Sequence, residues 1–243
     1  MAEVTRTVAA VAVGFGAGYL LCSLRKRSQA SAPAYEPLVA KLMPAEPLSL
    51  LLNWLAEAQA ADGIAARFVV LATASKDEGA TARTVLLQKV TPAGEFVIGS
   101  SVGSLKDRQL SEDPRAELVL RWGQRQARVR GLVRKGTLSE TAACWQGLPS
   151  GARLGIPLLR QGQHTGEREY ESIRAACEER LVEKAMPGDC PHVIYTAFVL
   201  EPKSIEFYSG GHAGYVNDRF LYVRGASRQQ AEAEDWQRIR LQA

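Results

Sequence analysis

Apolar runs of strand length, punctuated by Gly, Pro, Asp and Asn, recur along the chain after residue 67. Phe68 to Thr73, apolar through Ala72, predicts a buried strand, turned by Asp77-Glu78-Gly79 into a run through Arg83. Thr81–Val90 and Glu95–Ile98, joined by Thr91-Pro92-Ala93-Gly94, carry the pattern of a hairpin. Glu117–Trp122 and Gln126–Lys135 predict a second antiparallel pair. In the latter Val129, Gly131 and Val133 alternate with Arg128, Arg130 and Arg134, as on a strand with one solvated face. Strands are also expected at Val193–Pro202, Ser204–Ser209 and Phe220–Arg224, with a loop at Gln229–Glu234. Helical spacing appears in Leu48–Ala61 (Leu51, Leu52, Leu55, Ala58) and in the charged, amphipathic Glu167–Ala185. Short helices are expected at Ser104–Glu112, stopped by Asp113-Pro114, and at Ser139–Gln146 with Ser139 as N-cap.

After the hairpin the chain breaks into Gly99-Ser100-Ser101-Val102-Gly103-Ser104 and then Lys106. Small hydroxyl residues and accessible backbone amides beside a lysine, with Arg83 on the neighbouring strand, suit a phosphate. Alone the signal is weak, because a Gly/Ser loop between strand and helix serves structure as readily as it serves an anion.

The first 27 residues have a different character. Thr7 to Leu24 carries no charge and is closed by Arg25-Lys26-Arg27. Its length lies at the short end of the roughly 17–25 residues that span a bilayer. A cleaved secretory signal is one reading, with Ala30-Ser31-Ala32 as the cleavage site, but the basic cluster follows the apolar run instead of preceding it. A mitochondrial presequence would be amphipathic, and this run is uniformly apolar. A single membrane anchor is the reading these charges favour. It puts the following domain on the cytosolic or matrix side, the mitochondrial inner membrane being one candidate. Gly14-x-x-x-Gly18 offers a helix-packing surface within it. Ser28 to Pro47, rich in Ser, Ala and Pro, reads as a linker, and residues 48–243 as one globular domain.

Composition narrows the function classes. The net charge of +4 in 243 residues, without a basic stripe interleaved with aromatics, does not point to nucleic acid. Four scattered cysteines (Cys22, Cys144, Cys177, Cys190) and three histidines (His164, His192, His212) form no metal-ligand spacing and no disulfide framework.

From about Pro44 onward the chain resembles the pyridoxamine 5′-phosphate oxidase family. The resemblance rests on Pro44-Ala45-Glu46-Pro47-Leu48 before a helix around Trp54, Leu71-Ala72-Thr73, Arg83-Thr-Val-Leu-Leu, and Gly103-Ser104-Leu105-Lys106. It continues through Asp113-Pro114-Arg115, Arg125-Gln126, Leu154-Gly155, Gln161, Ile205-Glu206-Phe207-Tyr208, Asn217-Asp218-Arg219-Phe220-Leu221-Tyr222, and Trp236 near Arg240-Leu241. No single landmark is decisive; their order and spacing are. The resemblance implies a mainly β, α+β fold, an FMN-binding split barrel that is usually a homodimer with the cofactor at the subunit interface. It implies Arg83 and Lys106 at the FMN phosphate, Ser104 and Ser100 (for a Thr) beside them, and Gln126 and Gln161 against the flavin. Tyr208 (for a Trp) would lie near the ring, with Arg219 as a further contact. Leu105 stands where the family has an Arg, and Gly99 where it has a Tyr.

The substrate positions have diverged. Where the family holds pyridoxal phosphate with a Lys, a Tyr, an Arg and a Ser, and contacts its reacting end with an Arg and a His, this chain has Gln88, Cys144, Leu148, Ala152, Tyr215 and Asn217. Losing the Lys and the Arg removes charge-assisted contacts worth roughly 3–6 kcal/mol together. Lys89 is adjacent, but strict strand alternation would point it to the opposite face. Two expectations remain open. One is an FMN-dependent oxidoreductase with an altered substrate site. The other is a non-catalytic, membrane-anchored accessory or structural subunit of a membrane complex, a mitochondrial one being a candidate, in which the barrel's polar residues are merely surface.

Overall fold

The structure, a computed structural model, describes residue 38 and residues 43–182, 188, 190–210, 217–225 and 236–242. Contacts divide the chain into residues 1–33 and residues 34–243, and every described residue belongs to the second unit. The anchor expected at Thr7–Leu24, its Gly14-x-x-x-Gly18 pattern and the loop at 229–234 lie outside the described residues. Among those described, no helix is long and apolar enough to cross a membrane.

Helix α1 (Pro47–Asp62) begins where the Glu46 carboxylate accepts from the Leu48 and Ser49 amides at 2.8 and 3.0 Å, with Pro47 preset for the first helical position. It ends at Gly63, whose φ of 60° favours glycine. Leu51, Trp54, Leu55 and Ala58 bury their side chains, whereas Leu52, expected on the apolar face, is 44% exposed. Trp54 takes that place, edge-on to Phe207 at 5.3 Å. A single 3₁₀ turn (Gly63–Arg67) leads into β1 (Phe68–Ser75). Then come β2 (Gly79–Val90), β3 (Phe96–Ser101), α2 (Leu105–Glu112), β4 (Arg115–Trp122) and β5 (Arg125–Lys135). Helices α3 (Leu138–Gln146), α4 (Ser150–Gly155) and α5 (Glu167–Val182) precede β6 (Tyr195–Ser209), β7 (Asp218–Arg224) and β8 (Trp236–Arg240).

The strands pair in the order β3-β2-β1-β4-β5-β6-β7-β8, and β3 also pairs with β6. That extra pairing closes the first six into a barrel, so β3 leaves no free edge; β7 and β8 extend from β6. Val69, Leu71, Leu87, Phe96, Ile98, Leu118, Leu120, Val129, Ile205 and Phe207 fill the interior. Their period-2 partners face outward, as the alternation along Gln126–Lys135 predicts: Val129, Gly131 and Val133 are buried and Arg130 and Arg134 exposed. A second cluster lies against the outer face of β3 and β6, where Val97, Tyr195, Ala197 and Val199 meet Cys144 and Trp145 of α3 and Cys190.

Three local expectations are corrected. The two strands expected at 193–202 and 204–209 are one, β6, running through Pro202. The ladder absorbs the proline with a register shift between Arg130 and Gly131. Gly131 is required there, since a β-carbon would lie 2.0 Å from the Glu201 carbonyl oxygen. Helix α3 is capped by Thr137 instead of Ser139: Thr137 Oγ1 accepts from the Glu140 amide and the Glu140 carboxylate accepts from the Thr137 amide, a reciprocal box. Helix α5 is described over Glu167–Val182, residues 183–185 of the expected span lying outside the described residues, and its apolar residues Tyr170 and Leu181 are 49% and 58% exposed instead of packed.

Candidate cofactor site

Arg83 lies on β2 in phase with the buried Val85 and Leu87, so its side chain starts on the barrel's inner face near one end. The guanidinium is held by Thr73 Oγ1 at 2.6 Å, the Leu71 carbonyl at 3.3 Å, Thr81 Oγ1, and Gln109 Oε1 at 3.1 Å. Thr73 and Thr81 are cross-strand partners in the β1–β2 ladder, which explains why both reach it. Gln109 Oε1 also accepts from Thr73 and Thr81 at 2.6 and 2.8 Å.

Lys106 opens a neighbouring group. It sits in the first turn of α2, after the Gly103 turn, which has φ 76° and is pinned by its amide donating to Asp107 at 2.7 Å. The ammonium donates to Ser104 Oγ at 3.3 Å and to Gln161 Oε1 at 3.0 Å. Ser100 Oγ lies 3.2 Å from Ser104 Oγ and 3.5 Å from Gln161 Oε1. Ser100, Ser104 and Lys106 are 6%, 2% and 6% exposed.

Electrostatics shows what this cluster lacks. Burial, then repulsion from Arg83, pulls the Lys106 ammonium down to about 8, while Asp107 raises it. Burial also lowers the Arg83 guanidinium from its usual value. Asp107, the nearby carboxylate, is engaged elsewhere, with Lys135 at 2.9 Å. Three donors converge on one oxygen of Gln109, which is 1% exposed, while its own Nε2 is buried without a partner. Two desolvated cations, two hydroxyls and an orphaned donor fit an oxyanion of high charge such as a phosphate monoester.

The other residues expected around a flavin form a separate group. Gln126 on β5 is paired with Tyr208 on β6, and Tyr208 with Arg219 on β7, so the three lie side by side across the sheet. Arg219 is clamped by Glu206 through contacts of 2.9 and 3.1 Å, which raise its guanidinium above the ordinary value. Arg83, Ser100, Ser104, Lys106 and Gln161 are thus brought together. Among the described residues, no hydrogen bond or ion pair joins them to Gln126, Tyr208 or Arg219. Gln109, Thr73 and Thr81 were not anticipated from the sequence. Gln109 stands one helical turn after Lys106, and Thr81 two residues before Arg83 on the same strand face; both spacings were readable.

The diverged positions are placed as follows. Cys144 is 4% exposed within the second cluster, its Sγ 3.3 Å from the Tyr195 hydroxyl, and burial pushes both groups up from their usual values. Tyr195 Oη occupies space that a side chain at residue 99 would need: a β-carbon on Gly99 would lie 1.7 Å from it and 2.8 Å from Cys144 Sγ. Leu148 packs against the same cluster, Ala152 is half-buried on α4, and Gln88 reaches toward Gly147. Asn217 is half-buried, and Tyr215 lies outside the described residues. Lys89 does not follow the strict alternation expected of it. The β2–β3 ladder shifts register between Leu87 and Lys89, which breaks strict alternation, and the Lys89 charge acts on Cys144 in favour of its thiolate.

The chain is 33% identical over 199 residues to the pyridoxine/pyridoxamine 5′-phosphate oxidase of Rubrobacter xylanophilus, covering 81% of this chain and 87% of that one. It is 32% identical over 202 residues to the enzyme of the same name from Brucella anthropi, covering 81% and 93%. No family model matches. Among solved structures, PhzG from Burkholderia lata superposes with a TM-score of 0.71 at 24% identity, covering 84% of this chain and 95% of that one. A pyridoxamine 5′-phosphate oxidase-related, FMN binding protein from Nostoc punctiforme superposes at 0.64 and 17%, covering 83% and 100%. The solved structures establish the shared fold, a six-stranded barrel with flanking helices, and the sequence identity over most of both chains establishes descent. The chain belongs to the pyridoxine/pyridoxamine 5′-phosphate oxidase family.

Proposed function

We propose that the protein is an FMN-binding flavoprotein, an oxidoreductase whose substrate site differs from that of its relatives. The observation that carries this reading is the half-buried Arg83 beside the buried Lys106, with Ser100 and Ser104 next to them and, among the described residues, no carboxylate neutralising both cations. Such a pair is unfavourable alone and favourable around a phosphate dianion. Bound FMN would supply the redox chemistry. The chain's part is to hold the phosphate with Arg83, Lys106 and the two serines, and to place Gln126, Gln161, Tyr208 and Arg219 for the ring, the last groups meeting across a homodimer. The buried Cys144 and the Tyr195 hydroxyl beside it support a substrate other than pyridoxamine phosphate.

The same burial favours a second reading, an accessory subunit without turnover, held at a membrane by residues 7–24. The experiment that separates the two is an absorbance spectrum of the purified protein after incubation with FMN and gel filtration. A retained flavin band supports the oxidoreductase; a folded, flavin-free protein supports the accessory subunit.

A pH dependence follows from Lys106. Only its ammonium form attracts the phosphate, so FMN affinity should fall as pH rises from 7 through about 8 toward 9.5. Binding at pH 8–9 should take up protons, because a phosphate raises the Lys106 value. In the free protein the sign of the stability effect is opposite. Between about 8 and the unperturbed 10.5 the unfolded chain binds the proton that the folded chain lacks, so this group's contribution to stability rises with pH. Calorimetric titrations in two buffers of different ionisation heat check the uptake; none at pH 8.5 would contradict it.

A further inference from the structure

A cavity of about 610 Å³ lies between the segment after α4 and the first turns of α5. It adjoins the phosphate cluster through Gln161 but uses residues that the cofactor reading leaves idle. Its walls include Ile156, Leu158, Tyr170 and Ile173, and it is bordered by Arg160 and Glu169. The volume is that of a small-molecule pocket.

The two charges carry the argument. Arg160 and Glu169 line one cavity, yet they are not paired with each other, and among the described residues neither has another ion pair. Opposite charges held apart in one concave, partly apolar space complement a ligand bearing both an acid and an amine. A phosphate dianion fits poorly, since it would face Glu169 with only one guanidinium to neutralise it. A guanidinium matches a carboxylate, Glu169 accepts from an ammonium, and Tyr170 with the aliphatic walls takes a flat apolar side chain. Tyr170 and Leu159, both on this wall, are 49% and 47% exposed, so the face that would receive such a side chain is open.

We propose that this cavity is a binding site for a zwitterionic aromatic ligand of the aromatic amino acid class, with Arg160 on its carboxylate and Glu169 on its ammonium. The site shares the Gln161 wall with the flavin groups, and its binding does not require the flavin itself.

The test uses L-tryptophan, tryptamine and indole-3-propionate as probes in calorimetric titrations of the full chain, with and without FMN. L-Tryptophan should bind at least tenfold tighter than either truncated probe. Arg160→Gln should weaken L-tryptophan and indole-3-propionate about tenfold or more and leave tryptamine unchanged; Glu169→Gln should weaken L-tryptophan and tryptamine and leave indole-3-propionate unchanged. Both positions are at the surface, so the variants keep the fold. Flavin retention, read in parallel, stays as in the unsubstituted protein, so failure of the cofactor reading shows as lost flavin and not as lost tryptophan binding. No binding of L-tryptophan below the millimolar range, or equal losses for all three probes in either variant, overturns the proposal.

Discussion

Replacing both Arg83 and Lys106 with alanine should abolish retention of FMN through gel filtration. Each charge-assisted contact to the phosphate contributes about 1.5–3 kcal/mol, so removing the pair should weaken binding about a hundredfold to ten-thousandfold. The single substitutions should part company in stability, which separates a binding role from a structural one. Arg83 satisfies Thr73, Thr81, Gln109 and the Leu71 carbonyl, so Arg83→Ala leaves buried acceptors bare and should cost about 1–3 kcal/mol of folding free energy as well. Lys106 is a buried cation repelled by Arg83. Lys106→Met should therefore lose flavin while melting no lower than the parent at pH 7. Thermal unfolding of both variants, beside their flavin content, measures this. A Lys106→Met protein that keeps its flavin would show that the phosphate lies elsewhere.

Gly99→Ala should destabilise the fold out of proportion to one methyl group. The new β-carbon would stand 1.7 Å from Tyr195 Oη, 2.6 Å from its Cζ and 2.8 Å from Cys144 Sγ. None of these can retreat easily: Tyr195 is 1% exposed, Cys144 4%, and Trp145, fully buried, stands edge-on to Tyr195 at 5.2 Å. Overpacking of this kind costs about 1–3 kcal/mol or more, several degrees in Tm for a domain of this size. In a Tyr195→Phe background the nearest clash is gone, so the same substitution should cost less, and a double-mutant cycle reads the difference. Equal costs in both backgrounds would mean that the tyrosine does not occupy that space.

Gly99, Tyr195 and Cys144 also show where the sequence ran out. The landmark residues carried the fold because each lies on an element whose period or turn chemistry is local: the Arg83 strand, the Thr91–Gly94 turn, the Ser104–Glu112 helix. The exchange at Gly99 is not local. Tyr195 enters from β6, a strand that meets β3 only through closure of the barrel, and nothing near residue 99 announces it. Leu52 is expected on the buried face, and Trp54 takes its place, for a related reason. Helical spacing admits both, and only packing on Phe207 selects Trp54. Pro202 suggested a break, since a proline cannot donate to the ladder, and the register shift opposite Gly131 removed that demand. The phosphate cluster was the most legible part of the site, because Arg83, Ser104 and Lys106 lie in two short segments. Gln109 was missed although its spacing from Lys106 is one helical turn. An amide carries no charge to mark it, and its importance appears only when Thr73, Thr81 and Arg83 converge on it.

This chain should hold a phosphate, and through it a flavin, with Arg83 and Lys106. Parallel titrations of the protein with FMN and with riboflavin, which lacks the phosphate, test it most directly. FMN should bind at least a hundredfold tighter than riboflavin at pH 7, and Lys106→Met should collapse most of that difference by weakening FMN alone. Equal affinities for the two, or an FMN preference that survives Lys106→Met unchanged, would mean that Arg83 and Lys106 do not hold the phosphate.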